Sequence, residues 1–160
     1  MFSEIDGLPV HTLVVHAVVV LAPVSALLAL GYLVPAWRRA LRWPLLVTAV
    51  CAAGSAFVAR ESGEHLKAAL ADQLAGNATG ELVAEHEQLG KRLFIALVVF
   101  AGLAVVVVVL ARVDRAALVH TGAVLLAVAA IVVGVLTYQT GEKGARAVWN
   151  PTGTVDYSNR

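Results

Sequence analysis

Four long runs of the sequence contain no Asp, Glu, Lys or Arg, and they constrain the fold more than any other feature. The runs are Val10–Leu33, Trp43–Ala59, Leu93–Ala111 and Ala116–Tyr138. A helix needs about 17–25 residues to cross a hydrocarbon core of about 30 Å, and all four runs reach that length, the second only barely. The sequence therefore predicts four membrane-spanning helices.

A strand is the alternative for the valine-rich stretch Val105–Val109, because valine favours sheets. A membrane barrel, however, needs alternating apolar and polar positions, and the runs lack that pattern. Backbone groups in lipid must find partners inside the protein, which leaves helices. We predict an all-α fold, an integral membrane antiparallel four-helix bundle. It forms a single domain over residues 1–150, and residues 151–160 are predicted to be a disordered tail.

The composition is typical of a membrane protein, and it argues against a nucleic-acid partner and an intrachain disulfide. Hydrophobic residues make up 59% of the chain and charged residues only 14%, whereas soluble domains have about 25% charged residues. The formal net charge of +1 gives no basic field that would indicate a nucleic-acid partner. A single cysteine excludes an intrachain disulfide, and the position of Cys51 inside an apolar run predicts a small buried packing residue.

Two short connections carry the topological signal. Three arginines lie between the first two runs and two lie between the last two, namely Arg38, Arg39, Arg42, Arg112 and Arg115. Short loops rich in basic residues face the cytoplasm. The other side of the bundle has a slightly larger total of Lys and Arg, but these are spread over much more chain, and the rule depends on short loops. We therefore predict that both termini and a helical segment over residues 60–92 are extracytoplasmic.

Small residues mark close contacts between membrane helices, because lipid leaves little hydrophobic force between them. The predicted inward lines are Ala123, Ala127, Ala130, Gly134, Thr137 and Gly141 in the fourth run, and Thr48, Cys51, Ser55 and Ala59 in the second. On this basis Gly134→Leu should disrupt packing more than Val107→Leu, since Val107 lies in a run of valines without small residues.

A faint internal repeat is also visible. Ser62-Gly63-Glu64 after the second run echoes Thr140-Gly141-Glu142 after the fourth. The histidines before the first and third runs do not fall in one register with this echo. The sequence therefore indicates only a weak duplication.

Histidine and glutamate residues gather at the ends of the runs that share one face of the membrane. Neutral imidazole suits zinc, copper or iron, and carboxylates suit harder ions. We predict a site for a divalent transition-metal ion at the extracytoplasmic mouth of the bundle. The predicted ligands are His16, Glu64, His86 and Glu142, with His11 and Glu87 as supporting neighbours. His16 is the most informative of them, because an ionisable residue inside an apolar run usually pairs or lines a cavity.

Three other interpretations stay open. The charges could form a solvated rim paired with nearby lysines and arginines, because no short metal-binding spacing is present. Bis-histidine haem b would need His16 and His86 at one depth, whereas helix rise places them on opposite sides of the apolar edge. The chain could also be a noncatalytic membrane subunit or anchor of a larger complex, redox complexes included. An enzyme with Glu64 or His86 as acid–base group is the weakest interpretation.

The stretches that carry these residues resemble one known family, in order along the chain. They are His11–Pro23, Ser62–Glu64, His86–Gly90 and Gly141–Trp149. They are similar to a bacterial family of small four-span membrane proteins, domain of unknown function 2231, whose first helix typically starts His-Pro-x-x-x-His. Thr12 stands where that proline is usual, and Glu142 stands where relatives often carry another polar residue such as His or Asp.

The resemblance covers nearly the whole chain and implies a multi-pass protein of the bacterial cytoplasmic membrane. It implies no activity, since the family has none established. Related domains sometimes accompany redox modules, which supports the subunit interpretation by analogy only. The partners predicted for the chain are the lipid bilayer and a membrane protein or a second copy of itself, without nucleic acid.

Overall fold

The computed structural model describes residues 4–112, 115–156 and 158. Four long helices dominate this part of the chain: α1 (Val10–Gly31), α2 (Arg38–Ala69), α4 (Ala78–Leu110) and α5 (Ala116–Trp149). A short helix, α3 (Ala71–Leu74), lies between α2 and α4. All four long helices are long and apolar enough to cross a membrane. The predicted all-α membrane bundle is confirmed.

The long helices close into a ring of neighbours. Helix α1 packs against α2, α2 against α4, α4 against α5, and α5 against α1. We call the end where α1 and α4 begin the histidine end, because His11 and His86 lie there. The other end, where α2 and α5 begin, is the arginine end. Since helix direction alternates, α2 and α5 both end at the histidine end.

Alanines line much of the bundle interior together with a few large apolar side chains, while many other large apolar residues cover the outside. Ala22, Ala49 and Ala104 are fully buried, whereas Leu27 is 67% exposed and Ile95 is 61% exposed. A soluble bundle keeps most of its large apolar side chains in the core, whereas many of them face outward here. This is the expected arrangement when lipid surrounds the helices and small residues allow close approach.

The small-residue line predicted for the fourth span is only partly correct. Ala123, Ala127, Ala130 and Thr137 are buried, as predicted. Gly134 is not closely packed, because a Cβ added there would meet no atom within 4 Å. Gly141, one residue past the next turn, is exposed. Both glycines therefore point away from the neighbouring helices, and the prediction for them was wrong.

The line predicted for the second span is only partly correct, because Ala59 is buried as predicted but the buried positions before it lie one residue further along the chain. Ala49, Ala52 and Ala56 are buried, whereas Cys51 is exposed. The prediction that Cys51 is a buried packing residue was therefore wrong. The hydroxyl of Thr48 explains part of the shift, because it donates to the carbonyl of Pro44 at 2.7 Å within its own helix. A hydroxyl satisfied in this way has no need of the bundle interior.

The structure reverses the expected order of two variants. Val107 is 1% exposed, and its Cγ2 lies 2.8 Å from the position of a Cβ added to Gly122 of α5. Val107→Leu should therefore overpack this contact and cost about 1–3 kcal/mol. Gly134→Leu should cost less, because its side chain enters open space. Thermal unfolding of both variants in one detergent tests this order, and a larger loss for Gly134→Leu would contradict it.

The outer part of the chain at the histidine end consists of helical extensions joined by a tight turn. Asn77 begins α4 by accepting a hydrogen bond from the backbone N–H of Gly80 at 2.9 Å. Gly80 is required here, because a Cβ would lie 2.0 Å from the carbonyl oxygen of Leu74. The turn therefore holds the ends of α2 and α4 close together.

Both ends of the described chain carry small local structures. A hairpin of β1 (Glu4–Ile5) and β2 (Leu8–Pro9) precedes α1 directly. After α5, Asn150 exchanges two hydrogen bonds with the backbone of Val155, each of 3.1 Å. Residues 157, 159 and 160 lie outside the described residues. The predicted disorder of the tail stays a prediction.

Candidate functional site

Two histidines meet at the histidine end of the bundle. The ring centroids of His11 on α1 and His86 on α4 are 6.0 Å apart, and the rings are nearly perpendicular at 89°. Helices α1 and α4 are not neighbours in the ring of helices, so they face each other across its diagonal. The imidazole pair therefore lies near the central axis of the bundle.

Each histidine is held by a backbone carbonyl of the next helix. The Nδ1 atom of His11 lies 2.7 Å from the oxygen of Ala59 on α2, and that of His86 lies 2.8 Å from the oxygen of Thr140 on α5. A carbonyl oxygen only accepts hydrogen bonds, so each Nδ1 must carry the hydrogen. In the neutral ring this leaves Nε2 with a free lone pair. Both rings are thus fixed in the tautomer whose Nε2 can accept a proton or bind a metal.

A glycine makes room for each ring. A Cβ added to Gly63 on α2 would lie 2.9 Å from Nδ1 of His11. A Cβ added to Gly144 on α5 would lie 3.0 Å from both Nδ1 and Cε1 of His86. Each glycine comes one helical turn after the carbonyl that its histidine bonds. The backbone at these two positions therefore forms one wall of the site.

The two halves of the bundle repeat the same arrangement. The pair α1–α2 holds His11 as the pair α4–α5 holds His86, and the match relates Gly63 to Gly144. The buried positions of α2 and α5 follow this register, namely Leu45 with Leu126, Ala49 with Ala130, Ala52 with Val133, Ala56 with Thr137 and Ala59 with Thr140. The duplication visible in the sequence is therefore present, but its register differs by one turn from the echo of Gly63 in Gly141.

The other predicted ligands lie apart from this pair or have partners of their own. His16 is on the exposed side of α1, and its Nδ1 bonds the carbonyl of Thr12 at 2.7 Å in the same helix. Glu64 lies 3.4 Å from Arg60. Glu142 lies 2.8 Å from Arg146. No hydrogen bond or ion pair joins these three side chains to one another, and the four-residue site stays a prediction.

Glu87 connects two helices at the histidine end. Hydrogen bonds from Lys67 on α2 and from Lys91 on its own helix lower the pKa of Glu87 to about 2. The carboxylate is therefore charged throughout the physiological pH range and does not act as a proton acceptor there. Together with Glu64, it also lines a cavity of about 650 Å³ between the helical extensions.

Among the described residues, no three His, Cys, Asp or Glu side chains form a group that could hold a metal ion. The imidazole pair supplies two donor nitrogens. Sequence reasoning placed His11 beside the site rather than in it, because only one of His11 and His16 can face a shared ligand. The missed signal is a small residue followed four positions later by glycine, at Ala59 and Gly63 and again at Thr140 and Gly144.

These features define a class of protein, a multi-pass membrane protein whose four apolar helices enclose a pair of histidines at one end. The particular family follows from a family match over residues 7–156, described as predicted membrane protein (DUF2231). The chain belongs to this family, as the four motifs predicted. No curated protein and no solved structure matches the chain.

Proposed function

We propose that the protein binds a transition-metal ion at the histidine end, with Nε2 of His11 and of His86 as ligands. The observation that carries this proposal is the pair of hydrogen bonds from Nδ1 to backbone carbonyls. Histidines that bind metals typically donate their other ring N–H to a carbonyl or carboxylate, which fixes the tautomer and orients the ring. Both rings of the pair already have this orientation.

The spacing of the rings supports a shared ion. Since a metal–nitrogen bond is about 2.0–2.1 Å, two imidazoles that share one ion through Nε2 have centroids roughly 5–6 Å apart. The observed separation is 6.0 Å. The pairing favours His11, rather than His16, as the partner of His86.

Carboxylates and water complete the proposed coordination. Glu64 follows Gly63 directly, and Glu142 precedes Gly144 by two residues. Each is held by an arginine one turn away on its own helix, and each is accessible to solvent. Either carboxylate reaches the ion only if its side chain leaves that arginine and turns toward the imidazole pair. Nitrogen and oxygen ligands together suit zinc, copper or iron.

Replacement of both histidines tests the proposal. Purified His11→Ala/His86→Ala protein should lose its copurifying metal, measured by elemental analysis, while circular dichroism shows intact helices. The matched control is His16→Ala/His120→Ala, which also removes two imidazoles and should keep the metal. Unchanged metal in the first variant would contradict the proposal. Equal loss of metal in both variants would indicate that His16 is also a ligand.

The same preparation separates a single ion from haem b, which would also use two histidines as axial ligands. An absorption spectrum without haem bands, together with about one bound ion per chain, is the expected result. Metal affinity should fall on acidification, because protons compete with the ion for Nε2. If haem bands are present and vanish in the double histidine variant, His11 and His86 bind haem b rather than a single ion.

We further propose that the bundle lies in the bacterial cytoplasmic membrane with the histidine end outside. The alternative role, a membrane subunit that packs against another protein or a second copy, draws support from outward-facing glycines. Gly102, Gly134 and Gly141 would meet no atom within 4 Å if they carried a Cβ. Such positions let a further helix approach closely.

A further inference from the structure

The arginine end contains a second candidate site. A cavity of about 480 Å³ opens there between the connection that follows α1 and the connection that follows α4. Five arginines line it, namely Arg38, Arg39, Arg42, Arg112 and Arg115. The described lining residues include no Asp or Glu, and Asp114 lies outside the described residues. This part of the cavity wall is therefore strongly positive.

Two buried donors in this wall have no partner. Tyr32 is fully buried, yet its hydroxyl makes no hydrogen bond. The Nε atom of Arg42 is also buried without a partner. Buried donors are nearly always paired in folded proteins, so each such group requires an explanation. An anion in the cavity would accept hydrogen bonds from both.

Three of the five arginines are positioned by neighbouring groups. Arg38 donates from Nε to the carbonyl of Tyr32 at 3.0 Å. The guanidinium carbons of Arg42 and Arg112 lie 5.8 Å and 6.0 Å from the ring centre of Trp43. Stacking of this kind orients a guanidinium and leaves its N–H groups available.

Two helix N-termini add to the positive potential. Helix α2 begins at Arg38 and helix α5 at Ala116, and both residues border the cavity. Neither helix start has a side-chain cap. At α2 the N–H of Arg38 donates to the carbonyl of Pro35, in a short 3-10 helix (Pro35–Trp37) that comes directly before it, so α5 is the helix that offers free first-turn N–H groups. Such groups, with the helix dipole behind them, favour a bound anion.

The location of the cavity indicates where the anion comes from. Trp37 and Trp43 are 57% and 48% exposed beside it, at the ends of the apolar spans. Exposed tryptophans mark the headgroup region of a membrane. Basic pockets between membrane helices at this depth bind phosphate-bearing headgroups. We propose that this cavity binds the phosphate group of an anionic phospholipid.

Lipid titration of the purified full chain tests this proposal. In nanodiscs or detergent, phosphatidylglycerol should raise the melting temperature more than phosphatidylcholine does. Arg42→Gln should weaken the apparent affinity for phosphatidylglycerol roughly fivefold. Tyr32→Phe should weaken it roughly twofold to fivefold, since it removes one hydrogen bond and leaves the ring in place. The matched control is Arg92→Gln, which removes one exposed positive charge at the opposite end and should leave the affinity unchanged.

Three outcomes would overturn the proposal. The first is equal stabilisation by phosphatidylglycerol and phosphatidylcholine. The second is an equal loss of affinity in Arg42→Gln and Arg92→Gln, which would indicate only a general effect of charge. The third is stabilisation by inorganic phosphate without any effect of phosphatidylglycerol, which would assign the cavity to a soluble ligand. If Arg42→Gln fails to fold, the response of Tyr32→Phe decides.

Discussion

Gly144→Val is expected to abolish tight metal binding at the histidine end while the four helices remain formed. A Cβ at this position would already lie 3.0 Å from Nδ1 and Cε1 of His86, and the valine methyl groups extend further. The ring must move away from α5 and lose its hydrogen bond to Thr140. Loss of the group that orients a ligating histidine costs about 10–100-fold in metal affinity. Titration of the purified, metal-free protein with zinc measures this loss.

Gly141→Val is the matched control on the same helix. Gly141 is exposed, and a Cβ added there would meet no atom within 4 Å. Both variants insert a β-branched residue into α5, so their effects on helix propensity cancel. Metal affinity should remain near the wild-type value in the control. A similar loss in both variants would show that helix destabilisation, rather than the position of His86, causes the effect.

Because each histidine of the pair lies beside a glycine, the same test can be made at the other histidine. Gly63→Val should displace His11 as Gly144→Val displaces His86, because a Cβ at Gly63 would lie 2.9 Å from Nδ1 of His11. Gly54→Val, on the exposed side of α2, is the corresponding control. Affinity losses of similar size for Gly63→Val and Gly144→Val are expected if both rings ligate one ion. A loss confined to one glycine variant would contradict the shared site.

The overall fold could be predicted because it depends on averages over long segments. Four uncharged runs of spanning length exclude a soluble domain and a barrel regardless of any single residue. The arginines of the two short connections mark one end of the bundle in the same way. Errors of one or two residues at helix ends do not change this result.

The inward faces of the helices could not be predicted with the same success, because one residue corresponds to about 100° of rotation. Small and hydroxylated residues fit both environments in a membrane. Thr48 satisfies its hydroxyl within α2, and Gly134 needs no neighbour, so neither reveals its direction. Alanine at positions 49, 52 and 56 differs little in polarity from the outward residues beside it. The sequence pattern therefore could not distinguish two orientations of α2 that differ by one residue, or about 100° of rotation.

The observed imidazole pair lies at the same end of the bundle as the predicted ligands, but it contains His11, whereas the predicted ligand on α1 was His16. Depth along the membrane follows from distance in sequence, and it places His11, His16 and His86 near one mouth. Which imidazole faces the axis depends on rotation, and it is decided by Gly63 and Gly144, whose missing side chains admit the rings. The role of these glycines can be recognised only when the register of α1 against α2, and of α4 against α5, is known.

A fluorescent reporter that folds only in the cytoplasm is expected to remain dark when it is fused after Arg160 and bright when it is fused after Arg42. The five arginines of the two short connections all lie at the arginine end of the bundle. The positive-inside rule counts basic residues in short loops and places this end in the cytoplasm. Both readings come from intact cells, and immunoblots of the two fusions control for expression.

The opposite pattern, bright after Arg160 and dark after Arg42, would show that the bundle has the opposite orientation in the membrane. The imidazole pair would then face the cytoplasm, where its ion would come from the cytosolic metal pool. The arginine cavity would face the outer leaflet, although its affinity for phosphate headgroups would be unchanged. The fusion experiment therefore decides which compartment supplies each proposed ligand, independently of whether either site binds.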